Sequence, residues 1–230
     1  MASPKVAGIY IRATAWVANY MTSLESVGVG KAGLGWRLPD GASQGVLAGM
    51  AVWPYLDTIV VEFDSAVASS TITTANLVLY RHPGVVVPSL TVAYDDVNYR
   101  GTWTFAALAR GRYALVLSSI IANSGGEYID GEWVLGQSYP SGGHGTVGLP
   151  LVFNFDVSPG DVNRDGICSA ADRAAIVANY NQAIDVSTYV YDMTGGNTIT
   201  SSDSAIVSGL IPTYTAYGNL MDVPLARALP

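Results

Sequence analysis

Asp161-Val162-Asn163-Arg164-Asp165-Gly166-Ile167-Cys168-Ser169-Ala170-Ala171-Asp172 carries oxygen side chains at positions 1, 3, 5, 9 and 12, and glycine at position 6. Its reading decides how the C-terminal part of the chain folds. Calcium takes six to eight hard oxygen ligands at roughly 2.3–2.6 Å, and a short loop with oxygens on alternate residues can wrap one ion. Gly166 permits the sharp turn, and Ile167 at position 7 offers a backbone carbonyl. The expected ligands are Asp161, Asn163, Asp165, Ile167 through its carbonyl, Ser169 and Asp172. An Asx-turn running into a helix cap would explain one or two of these acids, but not the spacing of all of them. Position 12 is Asp172, one methylene shorter than the bidentate Glu of sensor loops. That points to a weak structural site, in the range of about 10⁻⁴–10⁻³ M of extracellular modules.

Thirty-one residues later the pattern returns as Asp192-Met193-Thr194-Gly195-Gly196-Asn197-Thr198-Ile199-Thr200-Ser201-Ser202-Asp203. The acids at positions 1 and 12 are kept. The expected ligands are Asp192, Thr194, Thr198 through its carbonyl, Thr200 and Asp203. Position 5 is Gly196, which has no side-chain oxygen, and Asn197 replaces the glycine at position 6. With two carboxylates instead of three, this loop should bind more weakly or not at all. Cys168 and Ile199 both fall at position 8 and are expected to meet in a small core. Each loop leads into an apolar stretch of helical spacing, Ala170–Tyr180 and Asp203–Ile211. Pro212 is expected to stop the second helix.

The preceding residues read as strands separated by turns. Val6–Arg12, Leu34–Leu38, Thr58–Phe63, Leu77–Tyr80, Leu90–Tyr94, Thr102–Phe105, Tyr113–Leu117 and Leu151–Phe155 are strand candidates, and Trp16–Val27 is a short helix candidate. Turn signals such as Pro83-Gly84, Arg110-Gly111 and Asp130-Gly131 divide them. Seven to nine short strands at this spacing predict an antiparallel β-sandwich. Trp53, Trp103 and Trp133 are core candidates. The expected organisation is a sandwich over 1–157 with an N-terminal extension over 1–50, a calcium-binding module over 158–212, and a C-terminal tail over 213–230. Ser158-Pro159 would be a two-residue hinge.

Composition limits the function classes. Charged residues make up 13 % of the 230, against about 25 % in typical soluble domains. Apolar residues reach 50 %, yet no run approaches the ~18–20 uninterrupted apolar residues of a membrane span. The net charge is −7, and no Lys/Arg cluster exists, so nucleic acid is excluded as a partner. Five of the eighteen acids lie at ligand positions in the two loops. The single Cys168 excludes an intrachain disulfide and reads as a small buried hydrophobe. No Gly-x-Ser-x-Gly elbow, no Cys/His metal spacing and no phosphate loop is present. The two histidines, His82 and His144, fall in turn and loop sequence. Asp95-Asp96 and Asp130/Glu132 read as solvated turn acids rather than as a catalytic pair. No enzyme is expected.

The paired loop–helix units over residues 160–211, opened by Gly160-Asp161-Val162-Asn163-Arg164-Asp165-Gly166, resemble a type I dockerin with EF-hand-like loops. That resemblance implies calcium as the bound ion. It also implies that loop positions 10 and 11, here Ala170-Ala171 and Ser201-Ser202, would face a cohesin partner. These pairs differ, which argues against a symmetric dual binding mode. A second resemblance covers roughly residues 50–157. Thr58-Ile59-Val60-Val61-Glu62-Phe63-Asp64-Ser65-Ala66-Val67, Gly111-Arg112-Tyr113-Ala114-Leu115-Val116-Leu117 and the loop from Asn123 to Trp133 are similar to a bacterial Ig-like domain of the Big_5 type. Tandems of this kind resemble the C-terminal regions of large secreted bacterial surface proteins.

These observations predict a mainly β protein, an Ig-like sandwich followed by a small helical dockerin-like module. Its expected role is that of a non-catalytic, calcium-binding structural protein at the cell surface or outside the cell. It would be a self-assembling subunit of a filament, with copies of itself as partners. Docking would run through the tail, where Tyr214, Tyr217, Leu220, Met221, Val223, Leu225 and Leu229 would be wasted in solvent, or through the N-terminal Lys5–Trp16 segment adding a strand to an open edge. The alternatives are a dockerin-type adhesion module that binds a cohesin-like protein, or a carbohydrate-binding module that holds a glycan on its many Tyr and Trp.

Overall fold

The computed structural model describes residues 2–44, 49–143 and 147–214. Among these residues ten strands form two antiparallel sheets. The first sheet has the order β2 (Gly30–Lys31), β3 (Gly35–Arg37), β1 (Val6–Arg12), β4 (Thr58–Phe63), β8 (Arg100–Thr104) and β7 (Thr91–Asp95). The second has the order β10 (Leu151–Val157), β9 (Gly111–Leu117), β5 (Leu77–Arg81) and β6 (Val85–Val87). Three α-helices are found among the described residues: α1 (Ala18–Ser26), α2 (Ala170–Ala178) and α3 (Ser201–Tyr214).

Strands form where alternation puts one set of side chains inward. Ile59, Val61 and Phe63 of β4 are buried, with Trp103 of β8, Leu115 and Leu117 of β9, and Leu151, Phe153 and Phe155 of β10. Gly101 leaves the room that the Trp103 ring occupies, since a Cβ there would lie 2.4 Å from two of its ring carbons. Trp53 and Trp103 are fully buried. Trp133 is half-buried, packs on Tyr139 and Phe153, and donates its indole N–H to Gln44 at 2.9 Å. The six-stranded sheet also covers part of its other face, where Tyr10, Leu34 and Val60 form a small cluster.

Several expectations are corrected. The 1–50 segment is no appendage to the sheets: β1 lies between β3 and β4. Lys5–Trp16 is therefore committed within its own chain and is not available to a neighbouring subunit. Asp130 and Glu132 are buried, not solvated, and Lys5 stands 3.5 Å from Asp130. Ser158-Pro159 is no hinge. Ser158 is buried, its N–H donates to Ala51, and the Gly160 N–H donates to Val52. Helix α3 passes through Pro212 to Tyr214. Proline removes a backbone donor, but the last turn is held from outside. The Tyr214 hydroxyl donates to the Pro159 carbonyl at 2.6 Å, and Arg110 covers its ring. Tyr214 thus packs on its own chain; Tyr217 and the later tail residues lie outside the described residues.

One hydrophobic core runs from the sandwich into the C-terminal helices and includes Val162, Cys168, Ile176, Ile199 and Val207. The junction is aromatic. Trp53 meets Trp16, Trp36 and Tyr189, with ring centroids 5.3–6.0 Å apart, and the Tyr20 hydroxyl donates to the Tyr189 carbonyl. Among the described residues no helix is long and apolar enough to cross a membrane.

Candidate metal centre

Both acidic loops fold onto the same frame. In the first, Asp161 accepts from the backbone N–H of Asp165 (3.1 Å) and of Gly166 (2.9 Å). Asp172 accepts from the N–H of Asn163 (3.1 Å) and of Ser169 (2.8 Å). In the second, Asp192 accepts from Gly196 (3.1 Å) and Asn197 (2.7 Å), and Asp203 accepts from Thr194 (2.9 Å) and Thr200 (2.7 Å). Position 1 holds the amides of positions 5 and 6; position 12 holds those of positions 3 and 9. The backbone repeats as well. Arg164 and Gly195 at position 4 have φ of 58° and 66°, and Gly166 and Asn197 at position 6 have 91° and 68°.

Position 9 doubles as a helix cap. The Ser169 hydroxyl donates to Asp172 and accepts from the Ala171 N–H, which caps α2. Thr200 does the same with Asp203 and Ser202 at the start of α3. This chemistry begins both helices next to the loops.

The electrostatics are unusual for a carboxylate pair. Asp161, Asp172, Asp192 and Asp203 are all fully buried, and none enters an ion pair seen among the described residues. Arg164, the cation within the first loop, turns away to Tyr189, donating to its hydroxyl at 3.1 Å and lying against its ring. Burial, reinforced by the charges of Asp172 and Asp165, pushes the Asp161 carboxyl up to about 7. Burial and the charge of Asp203 push Asp192 up to about 6. Backbone N–H donors oppose both shifts but do not offset them. Such a pair favours a proton or a bound cation. The donor set of carboxylates, amide, hydroxyls and carbonyls suits a hard cation such as calcium.

The remaining expected ligands stand as follows. Asn163 and Asp165 are on the surface, and the Asn163 amide donates to Asp165 at 3.0 Å. The Ile167 and Thr198 side chains are exposed, as a carbonyl ligand permits. Thr194 donates its hydroxyl to Asp192. Among the described residues no three His, Cys, Asp or Glu side chains stand close enough to grip a metal ion by themselves. Cys168 and Ile199 are both buried. Ala170, Ala171, Ser201 and Ser202 are exposed. His82 lines a cleft between the sandwich and the end of α3, and His144 lies outside the described residues.

The loops differ in their surroundings, which the sequence did not disclose. Arg110 donates to the Gly166 carbonyl of the first loop at 3.0 Å. The second loop is seated on the sandwich. Its Gly195 carbonyl accepts from the Val17 N–H at 3.0 Å, and Asn197 accepts from the Ser23 hydroxyl at 2.7 Å. A Cβ at Gly195 would lie 2.1 Å from the Trp16 ring. Only the Gly195-Gly196 pair, which lacks a side chain at the contact, marks this in sequence.

No protein-family model matches the chain, and no curated protein matches it. Neither the dockerin nor the bacterial Ig-like resemblance therefore gains a family match. Among solved structures the chain is similar to the S-layer protein rSbsC, at 15 % identity and a TM-score of 0.30 over 40 % of this chain and 12 % of that one. A structure of domains 1-6 of the surface layer protein SbsC matches at 14 % identity and 0.32, over 46 % of this chain and 13 % of that one. CopC from Methylosinus trichosporium OB3b matches at 16 % identity and 0.30, over 48 % of this chain and 81 % of that one. The match thus spans about an eighth of each of these two surface-layer structures. Likeness at this level carries no argument about function.

Proposed function

We propose that the chain is a non-catalytic structural protein of the cell surface or extracellular space, and that residues 160–211 form a calcium clip closing one end of its sandwich. The observation that carries this reading is the pair of fully buried, cation-free carboxylates repeated in both loops on one hydrogen-bond frame. In the first loop the ion would be held by Asp161, Asn163, Asp165, Ser169 and Asp172 with the Ile167 carbonyl. In the second it would be held, more weakly, by Asp192, Thr194, Thr200 and Asp203 with the Thr198 carbonyl. A site this poor in carboxylates fits calcium concentrations outside the cell. Its role is stability: at free calcium about a hundred times the dissociation constant, one site adds roughly 2.7 kcal/mol.

Self-association belongs to the same reading. Among the described residues no strand pairs with the outer edges of β6 and β7, and Val85 and Val86 of β6 and Leu90 just before β7 are exposed. Such edges pair with further chains unless they are protected. Calorimetric melting and light scattering on one sample, in millimolar calcium and then in excess chelator, test both parts. The melting temperature should fall by roughly 5–10 °C in chelator, and calcium should maintain particles far above 24.1 kDa. Equal melting in both conditions would overturn the clip. A 24.1 kDa species in both would overturn self-assembly and leave the clip standing.

A further inference from the structure

We propose that the cleft where the sandwich meets the C-terminal helices binds a small organic anion with a flat apolar body. The cleft measures about 620 Å³, within the roughly 300–1,000 Å³ of small-molecule sites. It lies between the turn after β5, the loop from β8 to β9, and the end of α3. Its charge is the reverse of the molecule's. The chain carries −7, yet the lining contains Arg81 and Arg110 and no Asp or Glu. Arg112 also reaches the lining, but its guanidinium is paired with buried Asp156 at 3.0 Å, so its charge is already matched.

The cationic groups are held in place before any ligand arrives. The Arg110 guanidinium lies 4.7 Å from the centre of the Tyr214 ring and donates to the Gly166 carbonyl. The stem of Arg81 runs along Gly111, where an added Cβ would stand 2.8 Å from its Cγ. Most of the remaining wall is apolar and includes Leu108 and Leu210. Tyr55 lines the same cleft with 65 % of its surface exposed and φ of 61°, a left-handed conformation that a tyrosine rarely adopts. A carboxylate, sulfonate or phosphate would meet the Arg81 guanidinium, and an attached ring would cover the apolar wall and Tyr55. A bare inorganic anion would gain only the first contact. The cleft is bounded by both the sandwich and the C-terminal helices, so its ligand would tie the two together.

Isothermal titration calorimetry on the whole chain in calcium tests this with three probes: 1-naphthoate, the neutral 1-naphthalenemethanol and inorganic phosphate. Naphthoate should bind, with the alcohol and phosphate each at least about tenfold weaker. Arg81→Gln should weaken naphthoate about tenfold. Tyr55→Gly, which removes the ring and relaxes the positive φ, should weaken it while the melting temperature holds. Absence of naphthoate binding, equal binding of the alcohol, or unchanged binding in both variants would overturn the site. Phosphate binding as tightly as naphthoate would overturn the assigned ligand class.

Discussion

The loops Asp161–Asp172 and Asp192–Asp203 share one backbone and one set of hydrogen bonds, yet they face different surroundings. Positions 1 and 12 build the frame in both, and positions 4 and 6 are left-handed in both. The first loop keeps a third carboxylate at position 5 and presents it at the surface. The second has Gly196 there and uses positions 4 and 6 to seat itself on Trp16, Val17 and Ser23. Frame and ligand set are therefore separable. A loop can lose a ligand and retain its shape, because the two terminal carboxylates organise the amides. What the second loop lacks in charge it supplies as an anchor to the sandwich.

Position 4 should break this comparison most visibly. Gly195→Val adds a Cβ into the Trp16 ring at φ 66° and should cost about 2–4 kcal/mol in urea unfolding, with or without calcium. Arg164→Ala at the matching position should cost about 1 kcal/mol or less. Equal losses would mean that the second loop is not an anchor.

Next in size is the calcium-linked part of stability. Asp165→Ala should remove roughly 2–3 kcal/mol of stabilisation seen in calcium, and about 1 kcal/mol or less in chelator, where Asp165 accepts from the Ile167 N–H and the Asn163 amide. Asp192→Ala should remove less of the calcium-linked part, although it also strips two amides of their acceptor. The difference in melting temperature between calcium and chelator isolates this quantity for each variant.

Gly196→Asp sharpens the comparison from the other side. The position has an ordinary φ, and an added Cβ meets only the Thr194 hydroxyl, at 3.1 Å. The third carboxylate should raise calcium affinity at the second loop to within about tenfold of the first, read as a second step in a calorimetric titration.

A separate effect is that of pH on the calcium-free protein. Asp161 and Asp192 have folded values raised to about 7 and about 6 from an ordinary 3.8. A raised folded value favours the fold below the unfolded value and loses that contribution as pH rises through the folded one. Stability in chelator should therefore fall between about pH 4 and 7. Calcium affinity should rise across the same window, because binding needs the ionised carboxylates. Melting curves taken at fixed ionic strength read both trends.

Much of this was legible in sequence, because short-range chemistry wrote it. Thr58–Phe63 is a strand with the bounds its β-branched run predicts, and Gly111–Leu117 and Leu151–Val157 extend their predicted strands by only two residues. The loops were readable because oxygen spacing and left-handed positions repeat. The misses come from distant partners. Nothing in Val6–Arg12 says that it will lie between β3 and β4. Asp130 looked like a turn acid because Lys5, its partner, is far away in sequence. Pro212 looked like a helix stop because the anchor for the next turn, Pro159, lies in another segment. Val85–Val87 and Gly30–Lys31 are too short to show a period.

The amides at position 6 offer the most direct test. The Gly166 N–H donates to Asp161 and the Asn197 N–H to Asp192, so each reports on one loop. In a calcium titration followed by amide NMR of the intact chain, the Gly166 signal should move first, saturating by about 10 mM, ten times the weak end of the extracellular range. The Asn197 signal should move later or not at all. A Gly166 signal that stays in place throughout, or two signals that titrate together, would contradict the division of labour between the loops.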